Sequence, residues 1–446
     1  MLLELYGDEQ TIAIFSEHSL VQSWLDVEVS LAQAQAELGI IGAEAAASIA
    51  KVAKAENINL KLLWTDARNV GYPILPLVRQ LDGLLPSEHR GCVHYGATTQ
   101  DIMDTGIALQ VGEVAKHQDE LLQALGDSIA QLVREHSTTI MAARTHGQHA
   151  VPTVLGLKFA VYLDELTRHR VRLTAAFSEF AVLALFGAGG TSAAFGENPR
   201  DLRRLVAERL NLRSVDVPRH VARDYLAALT SAEAALAETC SRLGREVIDL
   251  SRTEIGELSE PDGHLRGASS TMPQKNNPIE SEGVVGLAIC AAAQSVAMLR
   301  AMEAGHERAA GEWQAEWQTL PEILILTSSA LKTIGRVGKE LRVFPDKMKE
   351  HLLSHGGEVM AEAYMMALAP TMGRENAHEL VYEAVRKARE SKSTLYDALS
   401  AAGNPLATSL KEIHPEDYLG DAAVAMEAAL EGWLAPVESI KEMASR

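Results

Sequence analysis

An all-α fold in three helical domains is predicted by three features of this 446-residue sequence. Five long runs carry apolar residues in steps of three and four, the period of a half-buried helix. Ala and Leu are abundant while aromatics make up only 5% of the chain, a composition that favours helices over sheets. No stretch alternates apolar and polar residues for long enough to predict a strand of more than a few residues.

The elements follow in order. Residues 20 to 55 read as amphipathic helices, in "LVQSWLDVEVSLAQAQAELGI" and "AEAAASIAKVAKA". Shorter helical pieces come next, with breaks expected at Gly71, Pro73, Pro76 and Pro86. From about residue 101 the first long helix places Leu122, Leu125, Ile129 and Leu132 on one face. A second is expected from Val151, with Pro152 tolerated in its first turn. "RDYLAALTSAEAALAETCSRLGREVIDLSRTEIGEL" is a third, "IESEGVVGLAICAAAQSVAMLRAME" a fourth and "TLPEILILTSSALKTIGRVGKEL" a fifth. Helices this long and apolar exceed what one small core can cover, so a long bundle buried further between subunits is expected. After "FPDKM" the helices shorten. The domain boundaries expected are 1–100, 101–345 and 346–446.

Formal net charge is −19, from 60 acidic and 41 basic residues, which argues against a nucleic-acid or anionic-membrane face. It leaves room for a small anionic substrate, because local cations and helix N-termini reverse the field within one pocket. Cys92, Cys240 and Cys290 form no CxxC or Cys/His pattern. They read as reduced, mostly buried side chains of a cytoplasmic protein. "MLLELYGDEQ" has no signal-peptide pattern, and apolar windows such as "AVLALFGAGG" are too short for a membrane span.

Four polar islands interrupt the helical pattern: "HYGATTQD" (94–101), "ARTHGQHAVPT" (143–153), "GASSTMPQKNNP" (267–278) and "HERAAGEWQAEW" (306–317). In the third, Ser269 and Ser270 offer hydroxyls, Lys275 a cation and Asn277 an amide, with Gly263 and Gly267 upstream as hinges. Helix capping would account for Pro278 but requires neither the double serine nor Lys275. In the second island, His146 and His149 lie beside Arg144, Thr145 and Gln148. No third ligand completes a metal site, and an acid/base histidine is the stronger reading; a structural role suits His149 better. Thr98 and Thr99 read first as an N-cap cluster. Arg308 precedes Trp313 and Trp317, which share a helix face and would pack in a core. No phosphate loop is present, and no cofactor is implied.

Together the islands resemble the fumarase/aspartase superfamily. "SSTMPQKNNP" matches its signature SSxMPxKxNP, while "THGQHAVP" and "TTQDIMDT" match its other two regions in order. The resemblance extends over the whole chain. It implies a helical head, a bundle of five long helices and a helical tail. It also implies a homotetramer with a twenty-helix core, in which three subunits build each active site. Carried over by motif, Ser269 is the base, His146 the acid and Glu282 the carboxylate that orients it. Lys275 and Asn277 hold the reacting carboxylate, and Thr98, Thr99 and Thr145 make further carboxylate contacts. Gln148, Ser270 and Arg308 are further substrate-binding candidates.

Within the superfamily, "RTHGQHAVPT" and "MGRENAHEL" look like adenylosuccinate lyases. However, "LYGDEQTIAIFSEHS" lacks the arginine expected for a nucleotide phosphate. Tyr72 stands where those lyases carry a histidine, and Trp313 and Trp317 stand where a serine and an arginine are expected. "HERAAGEWQAEWQTLPEI" and "YLGDA" resemble instead the 3-carboxy-cis,cis-muconate cycloisomerases, whose characteristic members carry tryptophan at the place of His146. The preferred expectation is a cycloisomerase-like enzyme acting beside a carboxylate of a small polycarboxylate. A fumarate-releasing C–N lyase on a substituted aspartate is the alternative. A catalytically silent protein on this fold would be expected to lose some of Ser269, Lys275, Asn277, His146 and Glu282, and all five are present.

Overall fold

A computed structural model of the chain describes residues 1–261, 263–308 and 311–437. Its principal elements are α1 (Glu17–Glu37), α2 (Thr99–Glu135), β1 (Ile140–Thr145), β2 (Gln148–Val154), α3 (Leu155–Phe180) and α4 (Asp224–Leu250). These are followed by β3 (Leu258–Ser259), α5 (Ile279–Ala301), α6 (Glu312–Lys339), β4 (Arg342–Val343) and α7 (Pro345–Leu352). The chain forms two compact units, each made of three segments. One comprises Met1–Leu122, His169–Cys240 and Gly283–Lys332, and the other Gln123–Arg168, Ser241–Glu282 and Thr333–Arg446. Each of the five long helices α2 to α6 therefore contributes a portion to both.

In the first unit, all five helices meet in one apolar cluster, with Val111 and Val114 of α2, Phe180 of α3, Leu229 of α4, Met298 of α5 and Leu324 of α6. The N-terminal helices close a second cluster around Trp24, Leu63, Ile74, Leu77 and Leu81. Their ends are set locally. Asn59 accepts from Leu62 N at 3.0 Å, and Gly71 ends that helix in the left-handed conformation at φ 89°. Pro76 does not break the chain. It occupies the first turn of Ile74–Gly83, where its missing N–H has no helical partner to lose.

The second unit holds the main departure from the expected all-helical pattern. Residues 140–154 form an antiparallel hairpin, with Pro152 in β2 opposite Ala142, and helix α3 begins at Leu155 instead of Val151. Two features favour this. Val151, Thr153 and Val154 are β-branched. His146 and Gly147 both take positive φ, 52° and 75°, the conformation that closes a two-residue turn between twisted strands. Helix α6 also starts earlier than expected, at Glu312, and runs through Pro321. The tail after residue 345 is a set of short helices, as its pattern predicts.

Two expectations about exposure need correction. Of the cysteines only Cys240 is buried; Cys92 is half-buried and Cys290 is exposed on α5. Helix α5 is long and apolar enough to cross a membrane, with mean hydropathy 1.7 over a window only 33% buried within the chain. In the sequence this stretch is read as the fourth long helix but is not weighed as an apolar span.

Candidate active site

The SSxMPxKxNP stretch is a loop whose neck is closed by its own backbone. Gly267 O accepts from Asn277 N at 2.9 Å and from Asn277 Nδ2 at 2.8 Å, and Ala268 bridges to Asn276. Gly267 has φ 67°, and a Cβ there would lie 2.4 Å from Asn277 O, so glycine is required on both counts. At the base of the loop, Arg266 pairs with Glu280 at 2.6 Å, and Arg336 joins the same buried carboxylate. Glu260 accepts from Ser281 N at 2.7 Å, where the free N–H groups of the first turn of α5 need an acceptor.

Within this frame Ser269 Oγ accepts from the backbone N–H groups of Met272 at 3.2 Å and Thr271 at 3.4 Å. Paired N–H donors aimed at a hydroxyl oxygen favour negative charge on it, as a serine acting as a base needs. Lys275 and Ser270 are exposed. Lys275 makes no ion pair among the described residues, so its ammonium is available to an anion. Glu282 lies in the first turn of α5 and is also exposed.

His146 and Gly147 form the tip of the hairpin, with Thr145 paired to Gln148 beneath them, and all four residues are exposed. No hydrogen bond joins His146 to Glu282 within the chain, among the described residues. His149 lies further down β2. It is exposed, and partial desolvation, then the positive charge of Arg144, lowers its pKa.

The remaining islands come together in the first unit. Thr98 and Thr99 open α2, and Thr98 Oγ1 accepts from Arg308 at 3.3 Å. Asp101, fully buried, fixes this corner. It accepts from Thr98 N at 3.0 Å, Phe186 N at 2.8 Å, Gly187 N at 2.9 Å and His220 Nε2 at 3.0 Å. His94, at φ 60°, is held by Glu28 at 2.6 Å; burial opposes its charge, but Glu28 raises its pKa overall.

Beside Arg308 stands an aromatic wall. Tyr72 stacks on Trp313 at 5.9 Å between centroids, and Trp317 meets both edge-on. Trp313 is buried, donating to Asp104 at 3.0 Å, whereas Trp317 is 37% exposed. The two line a cavity of about 470 Å³ with Trp24, Trp64, Arg223 and Glu316. Core packing thus accounts for Trp313 but not fully for Trp317. Asp101 and Asp104 lie within "TTQDIMDT" but are not singled out by it, and Arg223 and Glu316 carry no motif, since the partners of all four lie far away in the chain.

A family described as "Lyase" matches residues 7–292, and one described as "Adenylosuccinate lyase C-terminus" matches residues 357–429. A 3-carboxy-cis,cis-muconate cycloisomerase of Pseudomonas aeruginosa is 37% identical, covering 94% of this chain and 93% of its own length. An adenylosuccinate lyase of Pyrococcus horikoshii is 36% identical over 96% of each. Among solved structures, the 3-carboxy-cis,cis-muconate lactonizing enzyme of Pseudomonas putida superposes with a TM-score of 0.90 at 32% identity, covering 97% of this chain and 98% of that one.

Proposed function

The chain belongs to the fumarase/aspartase superfamily of lyases, and from that premise we propose that it acts on a small polycarboxylate in the manner of a 3-carboxy-cis,cis-muconate cycloisomerase. The observation that carries the reading is the pair of backbone N–H groups at Ser269 Oγ. Ser269, as alkoxide, removes a proton from the carbon beside a carboxylate. The charge that develops passes into that carboxylate, where Lys275 and the amide of Asn277 stabilise it. The C–O bond of the lactone then breaks and its carboxylate departs; the reverse sequence closes the ring. His146 supplies the proton to the departing group, and Glu282 orients it. Thr98, Thr99, Thr145, Gln148, Ser270 and Arg308 bind the remaining carboxylates.

The aromatic wall supports a substrate without phosphate. Tyr72, Trp313 and Trp317 offer mainly apolar faces, and the Trp313 indole N–H is already given to Asp104, so a phosphate there would lose its hydration and gain no charged or bidentate donor from these three residues. Sites shared between subunits of a cytoplasmic homotetramer complete the reading, so the groups of one site need not meet within one chain.

His146 favours a second reading. A lactone leaves as a carboxylate and needs little protonation, whereas an amine leaving a substituted succinate needs an acid. A panel of carboxymuconolactone, N-substituted aspartates, argininosuccinate and adenylosuccinate, followed by absorbance of the conjugated product, separates the two. Carboxymuconolactone should be turned over fastest. Adenylosuccinate turnover at an equal or greater rate would overturn the preferred substrate.

A further inference from the structure

Glu257 is fully buried where three segments of the second unit converge. Its carboxylate accepts a fork from Arg144, Nη1 to Oε2 at 2.9 Å and Nη2 to Oε1 at 2.5 Å. A further bond comes from His351 Nδ1 in α7 at 2.7 Å. Its backbone is tied as well: Glu257 O accepts from Phe344 N at 3.0 Å, and β3 pairs with β4 immediately after it. Glu260, three residues on, binds the first turn of α5 at the far end of the serine loop. The stretch 257–260 therefore grips the His146 hairpin with one carboxylate and the base of the Ser269 loop with another.

The hairpin needs such a grip. A two-stranded ribbon is marginally stable alone. The register of this one also shifts between Ala142 and Arg144, so the ladder does not by itself dictate the orientation of the tip. Arg144 is two residues from His146 and lies on the tip side of that irregularity. A forked guanidinium–carboxylate pair fixes both distance and plane, which a point charge does not.

Building on the assignment of His146 as the acid, we propose that Glu257, with Arg144 and His351, is a positioning residue that holds the His146 tip in register with the substrate. It touches no substrate itself. Its effect falls first on the geometry of proton transfer and second on Thr145 and Gln148 of the same tip, so its loss lowers kcat more than it raises KM.

Glu257→Gln keeps the volume but removes the charge and one acceptor site. With a substrate whose leaving group is poor, such as an N-substituted aspartate, it is expected to reduce kcat by about 10- to 100-fold with a smaller change in KM. Hydrogen exchange of the amides of residues 140–154 should accelerate in the same variant. His351→Asn retains a donor at the place of Nδ1 and should hold kcat within about threefold of wild type, whereas His351→Leu should follow Glu257→Gln. This second pair decides the matter if Glu257→Gln does not fold. Unchanged kcat in Glu257→Gln, or a fall in kcat without faster hairpin exchange, would overturn the proposal. So would equal losses in the two His351 variants. A wild-type protein that turns over none of the panel would sink the reaction assigned above, while the exchange measurement would still decide the buttress.

Discussion

Serine is a weak base, and what changes at Ser269 is its surroundings: two N–H dipoles point at Oγ, and a lysine stands six residues further along the same loop. Ser269→Ala removes the proton acceptor without disturbing the neck of the loop. It should lower kcat by about a thousandfold or more, with thermal stability and assembly unchanged; activity within a few-fold of wild type would remove Ser269 as the base. His146 tests the other half of the reaction. In His146→Asn, a substrate with a poor leaving group should lose about 100-fold or more in kcat, and carboxymuconolactone much less. Equal losses on both substrates would show that His146 does not act by protonating the leaving group.

At the scale of elements, the serine loop depends on Gly267. Its positive φ and the 2.4 Å approach of Asn277 O both oppose a side chain. Gly267→Ala should open the neck and reduce kcat by about tenfold or more while the helices remain folded, as kinetics and circular dichroism would show. The helix packing makes a separate prediction. Glu233 of α4 is fully buried, bonded to Gln118 of α2 at 3.1 Å, and burial pushes its pKa up to about 8. The unfolded chain releases that proton near pH 4.5, so between about pH 4.5 and 8 the folded state binds more protons. The favourable contribution is complete below that window and is lost as pH rises through it. Glu233→Gln should therefore raise the melting temperature progressively more from pH 5 to pH 8.5, as differential scanning calorimetry would measure. A difference independent of pH would contradict the assignment.

The same scale shows how much could be read beforehand. The five long helices were legible because their period of three to four residues persists over many turns. The hairpin at 140–154 was not, because Pro152 ahead of an apolar run also satisfies the rule for a helix start. The residues of the serine loop were legible because one short stretch holds them all. Glu257 and the pairing of Asp101 were not, since Asp101 meets His220 and Glu257 meets Arg144 across more than a hundred residues.

For the molecule as a whole, α5 presents Ile289, Val296 and Leu299 to solvent at 56%, 59% and 52% exposure. So apolar a face on a single chain needs a cover, and the proposed assembly supplies it with other copies of the same chain. Val296→Asp should dissociate that assembly, which sedimentation velocity would detect. If sites are shared, activity should fall with it; a fully active monomer would refute shared sites. Taken alone, the sequence determined the helical class and the superfamily. These are written locally, in periodicity and in three short motifs. Only the tertiary structure decided which way His146 is presented, what closes the serine loop and which surfaces flank Arg308. The first two depend on backbone conformation and short-range hydrogen bonds that more than one local rule would allow, and the third on ring contacts between distant segments, which leave no periodic trace in the chain.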